Sequence, residues 1–339
     1  MKIVVDAFGG DNAPVEIVKG AITAVNILED VEIILSGKQN EIQNVLDEYG
    51  YKGNKIEIIN AESVITNDES PTSAIRTKKD SSLVVGLNRL KEDEEVVGFV
   101  SAGSTGAVLS GGTFIVGRIP GVLRPALAPC LPTINDRKTM IIDCGANVDC
   151  KPEFLRQFAI MGSAYMKAMR GIENPTIGLL NIGAEDKKGN ALTHEAFELL
   201  KETPNINFVG NIEARDILSG TVDVIVSDGF AGNVALKSTE GAVHNVLSLL
   251  KKSIKESGLF AKLGAGLLKP VFKELKSKMN QNTVGGSPFF GVNKIVVKCH
   301  GNSNAETVFS TIKQVKEIHE SKFIDKLKEG LKGLEQRSL

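Results

Sequence analysis

Short runs of β-branched residues alternate with amphipathic stretches along most of the chain. The first pair is a strand-like Lys2–Val5 followed by a helical pattern at Val15–Leu28. This alternation is typical of β-α-β units, whose strands lie parallel in a sheet. The further predicted strands are Val31–Leu35, Lys55–Ile59, Val96–Val100, Thr139–Ile142, Thr176–Leu180, Asp223–Val226 and Lys294–Lys298. The pattern therefore predicts an α/β fold with one continuous sheet and helices on both of its faces.

Apolar residues at helical spacing also predict helices at Glu41–Tyr49 and Ala74–Leu90, and a long final helix at Ala305–Leu334. Ser303 is the predicted N-cap of that final helix, because a serine oxygen can accept a free backbone N–H of the first turn. No fixed-period repeat and no Pro/Gly/Ser-rich linker divides the chain. We therefore expect residues 1–250 and 280–339 to form a single α/β catalytic domain.

The composition changes between residues 251 and 279, where eight lysines stand beside only two glutamates. Apolar residues recur there at helical spacing, at Phe260, Leu263, Leu267, Leu268, Val271, Phe272, Leu275 and Met279. Basic amphipathic helices of this kind bind to anionic membrane surfaces. We predict a protruding helical insertion, divided at Gly264, Gly266 and Pro270, whose residues 257–279 contact a membrane. A helix packed against the sheet or a second subunit is the alternative.

The composition of the whole chain excludes several classes of protein. With 339 residues and 42% hydrophobic content the chain can bury a large core, so it is not disordered. Forty Lys and Arg residues balance 41 Asp and Glu residues, which leaves no overall field toward nucleic acid. The four cysteines have no CxxC spacing, and no apolar run is long enough to cross a membrane. We expect a cytoplasmic protein with reduced thiols that binds no nucleic acid.

Polar, glycine-rich turns follow six of the predicted strands. They are Asp6–Asp11, Ser101–Gly106, Asp143–Asn147, Asn181–Asn190, Ser227–Asn233 and Cys299–Asn302. Ligands of open α/β sheets lie beyond the carboxyl ends of the strands, and glycine lets backbone N–H groups approach an anion. These turns therefore suit phosphate or a pantetheine chain, although any single glycine can serve only a tight turn. No turn matches a dinucleotide or P-loop motif, and the histidines lack metal-ligand spacing, so we expect neither metal nor nucleotide cofactor.

Two lysines and an asparagine are the predicted catalytic residues. Lys187 and Lys188 lie in a loop after a buried strand, where their charge can hold phosphate or neutralise an oxyanion; a solvated surface pair is the alternative. Asn233 can donate its side-chain amide to a carbonyl oxygen, and its alternative role is helix capping. The predicted substrate- and phosphate-binding residues are Asp6, Gly9, Gly10, Arg76, Gly103, Ser104, Thr105, Asn147, Asn181, Lys237 and His300.

Some of these candidates have plainer alternatives. Arg76 belongs to a basic cluster that can meet phosphate or an acidic carrier protein, or can form an exposed helical face. His300 directly follows the last predicted strand and can act as an acid or base, but a lone histidine is more often structural. Cys144 and Cys150 have no paired histidine nearby in sequence, so we expect ordinary buried thiols rather than acyl carriers.

Taken in order, these turns resemble those of the bacterial phosphate acyltransferases of phospholipid synthesis. The resemblance covers essentially the whole chain. It rests on Asp6–Asp11, Ser101–Ala107, Asp143–Asn147 with Lys151–Glu153, Leu179–Asn190, Asp228–Asn233 with Leu236–Lys237 and Glu240–Gly241, and His300–Gly301. Two positions depart from the family pattern: Phe8 stands where Met is usual, and Ser104 where Asn is usual. The second departure removes an amide from a turn of the predicted site.

The resemblance implies a three-layer α/β/α sandwich with a mixed, mostly parallel sheet, similar to the isocitrate/isopropylmalate dehydrogenase fold. It implies a homodimer that transfers a fatty acyl group from acyl carrier protein to inorganic phosphate. The acyl phosphate would then serve a membrane-bound glycerol 3-phosphate acyltransferase. A phosphotransacetylase-like enzyme acting on short acyl-CoA is the alternative enzyme, and a catalytically silent scaffold for lipid enzymes at the membrane is the alternative from another class.

Overall fold

The strands form two sheets. The computed structural model describes residues 1–278 and 285–335. The strands are β1 Lys2–Asp6, β2 Glu32–Gly37, β3 Ile56–Asn60, β4 Val96–Ser101, β5 Ala126–Leu127, β6 Cys130–Pro132, β7 Lys138–Ile142, β8 Thr176–Asn181, β9 Asn207–Glu213, β10 Val224–Val226, β11 Ser287–Phe290 and β12 Ile295–Lys298. One sheet has the order β3-β2-β1-β4-β12-β11-β5 and the other β6-β7-β10-β8-β9. The prediction of one continuous sheet was therefore wrong.

Both sheets are mostly parallel, as predicted. In the seven-stranded sheet β11 is antiparallel to its neighbours β12 and β5, and in the five-stranded sheet only β6 is antiparallel, to β7. The chain leaves the seven-stranded sheet at the end of β5, and the next strand, β6, pairs with β7 in the five-stranded sheet. Four strands were not predicted: β5 and β6 are very short, and β9 and β11 lack the continuous β-branched runs of the others.

The helices lie on both faces of the sheets. Two of the predicted helices are each divided into a pair of helices. The helices are α1 Val15–Ile27, α2 Gln39–Glu48, α3 Pro71–Thr77, α4 Ser82–Glu92, α5 Thr105–Gly111, α6 Pro152–Arg170, α7 Ala191–Lys201, α8 Gly229–Glu256, α9 Leu259–Leu267, α10 Lys269–Lys278, α11 Ala305–Glu320 and α12 Phe323–Glu335. The predicted helix Ala74–Leu90 is divided because Ser81 starts α4 as a new N-cap. The predicted final helix is divided at Lys322, whose φ is 55°.

Asn304, and not Ser303, is the N-cap of α11, the first of the two final helices. The Asn304 side chain accepts the backbone N–H of Thr307 at 3.0 Å, while the Ser303 hydroxyl donates to the carbonyl oxygen of His300 at 2.6 Å. The two residues compete for one cap, and asparagine is at least as good a cap as serine. The N-cap therefore lies one residue after the predicted position.

Alternation along the strands places successive side chains in different cores. Ile3 and Val5 of β1 face a core formed with α1 and α11, whereas Val4 faces α4 on the other side of the sheet. The first core also contains buried residues of the five-stranded sheet, so the two sheets are packed into one body. At the centre of this shared core the rings of Tyr165, Phe290 and Phe323 contact each other, with centroids 4.9 to 5.3 Å apart.

The carboxyl edges of the two sheets meet at the end of β5. The backbone N–H of Leu127 donates to Asp143 Oδ1 at 2.9 Å, and the N–H of Cys144 donates to the carbonyl oxygen of Leu127 at 3.0 Å. Across β11, Leu127 is level with Val296 of β12 and Phe99 of β4, while Asp143 and Cys144 directly follow β7. The end of β5 in the seven-stranded sheet therefore contacts the turn that follows β7 in the five-stranded sheet.

Helix α8 continues from the five-stranded sheet into an exposed pair of helices. Residues 251–256 of the predicted insertion belong to α8, and the chain then folds into α9 and α10. Gly264 and Gly266 lie inside α9, so they do not divide the helix; the break falls at Leu268, before Pro270 in the first turn of α10. Met279 lies outside the described residues. Within the described part of the chain, no helix is both long and apolar enough to cross a membrane.

Candidate active site

Five of the predicted site residues lie at one edge of the five-stranded sheet. Strands β7, β10 and β8 are neighbours and parallel, so their carboxyl ends lie side by side. The turn after β7 carries Asn147, the turn after β10 leads into α8 with Asn233, and the loop after β8 carries Lys187 and Lys188 behind Asn181. The start of α8 therefore lies between the Asn147 turn and the lysine loop.

Asp143 organises the turn that carries Asn147. Its carboxylate is fully buried and accepts four N–H groups: the backbone amides of Leu127, Ala146 and Asn147 and the side-chain amide of Asn147, at 2.6 to 3.1 Å. Burial raises the pKa of Asp143, and these donors act against that rise. Asn147 Nδ2 also donates to the carbonyl oxygen of Pro125 at 2.8 Å, so its amide is fixed on both sides.

The first turn of α8 is joined directly to the Asn147 turn. Asp228 is the N-cap, since its Oδ1 accepts the N–H of Ala231 at 2.7 Å, and this excludes the capping role for Asn233. The N–H of Gly229 donates to the carbonyl oxygen of Asn147 at 2.7 Å. Asn233 lies one turn into the helix, beside Gly145: a Cβ on that glycine would stand 3.3 Å from Asn233 Nδ2. Lys237 follows one turn later on the same face and is exposed.

Asn181 holds the loop that carries the two lysines. Its Nδ2 donates to the carbonyl oxygen of Lys188 at 2.9 Å and to Asn211 Oδ1 at 3.1 Å, and its Oδ1 accepts the N–H of Ile182 at 2.8 Å. The stem of Lys188 lies against Gly183. Lys187 and Lys188 are exposed, and neither forms an ion pair with a residue that the structure describes. Their charges are therefore available to an anion.

A groove of about 740 Å³ lies between this loop and α8. Three large apolar side chains line it although they are mostly exposed: Ile182 is 80%, Phe230 64% and Val234 51% exposed. Its polar margin includes Asn181 and Thr193. Exposed apolar side chains that gather in a groove are typical of a binding surface for an apolar ligand.

A second group of predicted residues lies at the carboxyl edge of the seven-stranded sheet, where β1, β4 and β12 are adjacent. The Asp6 carboxylate is buried; Oδ2 accepts the Ser101 hydroxyl at 2.7 Å, and the Ser101 oxygen accepts the N–H of Gly103 at 3.0 Å. Burial raises the pKa of Asp6. A Cβ on Gly9 would lie 2.7 Å from the backbone nitrogen of Gly103. Asp6 therefore shapes these turns from inside rather than facing a ligand.

The turn after β4 leads into α5. Ser104 precedes α5 without a side-chain capping bond, and Thr105 is the first residue of the helix. Gly106 packs closely against Pro71, which joins this turn to α3, the helix that carries Arg76.

Five of the predicted residues extend into solvent: Arg76, Lys187, Lys188, Lys237 and His300. His300 uses its carbonyl oxygen to accept the N–H and the hydroxyl of Ser303. Direct contacts join Asn147 with Gly229 at the start of α8, Asn181 with Lys188, and Asp6 with Gly9, while Asn233 lies beside Gly145.

Sequence patterns did not single out Asp143 and Asp228 as site residues. Asp143 directly follows β7, and Asp228 follows β10 after one residue. Each uses its carboxylate to order a glycine-containing turn, as Asp6 does in the other sheet. An aspartate at the end of an apolar run is the signal that would have identified them.

The two candidate thiols are unsuited to carry an acyl group. Cys144 is buried, and burial raises its pKa well above the ordinary value. Burial also raises the pKa of Cys150 to about 12. Because the thiolate is the nucleophile, both groups are unreactive near neutral pH. Cys144 is buried as predicted, whereas Cys150 is only half-buried.

The chain is similar to known proteins over its whole length. A family model described as "Fatty acid synthesis protein" matches residues 1–326. A phosphate acyltransferase of Clostridium botulinum is 49% identical over 339 residues, which is 100% of both chains. One from Clostridium tetani is 47% identical over 335 residues, 99% of each chain. Among solved structures, a phosphotransacetylase from Streptococcus pyogenes has a TM-score of 0.63 at 18% identity, covering 96% of this chain and 94% of its own. That likeness concerns the fold.

Proposed function

The chain belongs to the phosphate acyltransferase family, and from that membership we propose that it transfers a fatty acyl group from acyl carrier protein to inorganic phosphate. One observation carries the assignment of the site: β7, β10 and β8 are neighbours, which brings Asn147, Asn233 and Lys188 to one edge of the five-stranded sheet. An amide donor and free ammonium groups at one edge are what acyl transfer to an anion requires.

In this proposal Lys188 holds the phosphate, with help from Lys187 and the backbone amides of the glycine-rich turns. The loop is held by Asn181, so the lysine backbone is fixed while the ammonium groups stay free of carboxylate partners among the described residues. Lysine binds phosphate as a mobile point charge. The phosphate is thereby brought to the thioester as an oriented nucleophile, which lowers the entropic cost of a reaction between two molecules.

A phosphate oxygen attacks the carbonyl carbon of the thioester and forms a tetrahedral intermediate with a negatively charged oxygen. Asn233 Nδ2 donates to that oxygen, together with N–H groups of the turns after β7 and β10. The C–S bond then breaks, the pantetheine sulfur leaves as a thiolate that takes a proton from solvent, and the new C–O bond remains in the acyl phosphate. No acyl-enzyme is formed, consistent with the high pKa values of Cys144 and Cys150.

The acyl chain lies, in this proposal, in the groove lined by Ile182, Phe230 and Val234. The groove begins beside Asn181 and Gly189, at the base of the lysine loop, so a thioester near Lys188 can extend its chain along the first turns of α8. Covering these exposed side chains contributes about 25 cal/mol for each Å² of apolar surface removed from water.

Incubating the purified protein with palmitoyl acyl carrier protein and phosphate tests the proposed reaction. We expect phosphate-dependent release of the carrier thiol and formation of acyl phosphate in equal amounts. A parallel reaction with acetyl-CoA tests the short-chain alternative. The likeness to a phosphotransacetylase concerns the fold and does not identify the substrate of this chain. Acetyl phosphate formation without activity on the palmitoyl carrier would replace the proposed function by that alternative. No transfer in either reaction would favour the other alternative, a catalytically silent scaffold for lipid enzymes.

We further propose that α9 and α10 contact the membrane at which the acyl phosphate is used. Leu259, Phe260, Leu263 and Leu267 are 59 to 90% exposed on α9. Lysines 262, 269 and 273 lie among the apolar residues and are also exposed, so an apolar surface is combined with positive charge. The exposure of these residues disfavours the alternative of a helix packed against the sheet. The homodimer stays a prediction, which light scattering on the purified protein would check.

Replacing Leu267 and Leu268 with glutamate is expected to abolish binding to anionic phospholipid vesicles. Both residues are at least half exposed, so their replacement removes apolar contact and adds repulsion without disturbing the core. Vesicle co-sedimentation measures the binding, and turnover on the soluble carrier substrate should stay unchanged. Ile134→Glu, at a position 82% exposed in the loop between β6 and β7, is the matched control and should bind normally. Undiminished binding by the double variant would exclude this surface.

A further inference from the structure

The seven-stranded sheet contains a buried lysine at its carboxyl edge. Lys298 is the last residue of β12 and is only 8% exposed. Its ammonium group donates to the carbonyl oxygens of Ala102, at 3.4 Å, and of Cys299. These two carbonyls belong to the turns that follow β4 and β12, so the side chain lies directly beneath two of the glycine-rich turns.

The positive charge of Lys298 has no paired carboxylate among the described residues. Asp6 and Asp11 contribute to its electrostatic environment without reaching ion-pair distance, and no protein acceptor in the described ranges takes the third N–H of the ammonium group. Burial accordingly lowers the pKa of Lys298. Buried charges in proteins are normally paired, because an uncompensated charge away from water is costly. An anion from outside the chain would supply the missing partner.

The glycine-rich turns that follow β1, β4 and β12 come together beside Lys298. Gly10 lies against Ala102 and Gly301, where a Cβ would come within 2.7 Å of the Gly301 carbonyl oxygen and 2.8 Å of Ala102 Cβ. The φ of Gly10 is 94°, a conformation that side-chain-bearing residues rarely adopt. Turns of this kind can direct successive N–H groups to one point, which favours a tetrahedral oxyanion.

We propose that Lys298 is the binding charge of a phosphate site formed with the turns at Gly9–Gly10, Ala102–Gly103 and Gly301. Its ligand is a phosphate group, either inorganic phosphate or the phosphate of the donor's phosphopantetheine arm. The inference rests on the proposed function, because it names where one phosphate group of the reaction is held. It assigns a role to a residue that the sequence patterns did not select.

Kinetics of two variants, Lys298→Met and Lys298→Gln, test the site. Methionine removes the charge and the polar contacts, whereas glutamine keeps an amide for the two carbonyl oxygens and is the variant better able to preserve the fold. We expect both to raise a KM by roughly 10- to 100-fold, as expected when a hydrogen bond to a charged group is lost. A rise in the KM for inorganic phosphate identifies that ligand, and a rise in the KM for the acyl carrier substrate identifies the pantetheine phosphate.

Lys294→Met is the matched control. Lys294 stands just before the other end of β12, is partly buried, and likewise donates to two carbonyl oxygens, those of Asp93 and Val96. It therefore reports the structural cost of removing a lysine that ties backbone segments together. We expect its KM values to equal those of the unaltered protein.

Thermal unfolding with and without inorganic phosphate tests the site independently of turnover. If phosphate is the ligand, it should raise the Tm of the unaltered protein and of Lys294→Met but not of the Lys298 variants. Absence of acyl phosphate formation by the unaltered protein would overturn the proposed function, and the Tm series would still decide the site. Unchanged KM values for both substrates in Lys298→Gln, together with an unchanged phosphate effect on Tm, would overturn the site.

Discussion

Replacing Asn233 with alanine is expected to lower the turnover number about 100-fold, because one donor to the developing oxyanion is lost. The side chain is not a helix cap, since Asp228 fills that position, so the fold does not depend on it. The KM for phosphate should change little, because Asn233 acts on the carbonyl oxygen and not on phosphate. Asn245→Ala, at an exposed position three turns further along α8, is the matched control and should leave turnover unchanged.

Lys188→Ala is expected to lower turnover by a similar factor, about 100-fold, and to raise the KM for phosphate as well. The distinction follows from the geometry: Lys188 is a free charge on a fixed loop, whereas Asn233 is a neutral donor at the start of α8. The exposed Lys201, at the end of α7, provides a lysine control outside the site. Near-normal turnover in both Asn233→Ala and Lys188→Ala would remove these residues from the mechanism.

Gly232→Ala is expected to reduce both stability and activity. A Cβ at Gly232 would overlap the backbone carbonyl oxygen of Asp143, so α8 and the turn after β7 would have to separate. Overpacking of this kind costs roughly 1–3 kcal/mol in the free energy of unfolding. The same displacement moves Asn233 away from Gly145, and a shift of about 1 Å at a catalytic group can lower turnover about 100-fold.

Gly241→Ala in the same helix is the matched control for Gly232→Ala. Nothing lies within 4 Å of a Cβ at Gly241, so alanine fits there and should stabilise the helix by about 0.5–1 kcal/mol. Chemical denaturation measures both changes in stability, and the carrier-thiol assay measures turnover. Unaltered turnover in Gly232→Ala would mean that the close contact between α8 and the Asp143 turn does not position the catalytic amide.

Local sequence patterns predicted best those strands and turns whose structure depends on residues close by in the sequence. The β-branched runs at Lys2–Val5 and Val96–Val100 predicted β1 and β4 to within one residue, because each run is apolar and ends at a polar turn. The same patterns missed β5, whose two residues are strand only through pairing with β11. They also joined α3 with α4, because the apolar spacing continues across the Ser81 cap.

The sequence by itself determined the α/β class, the family and the glycine-rich turns at the strand ends, since these depend on short stretches of chain. Only the tertiary structure decided that the strands form two sheets whose carboxyl edges meet at Leu127, that Asp143 orders the Asn147 turn, and that Lys298 is buried without a paired carboxylate in the described part of the chain. The bond from Lys298 to Ala102 joins residues 196 positions apart, and that from Leu127 to Asp143 joins different sheets. Such contacts depend on how whole strands pair, so a local sequence pattern cannot predict them.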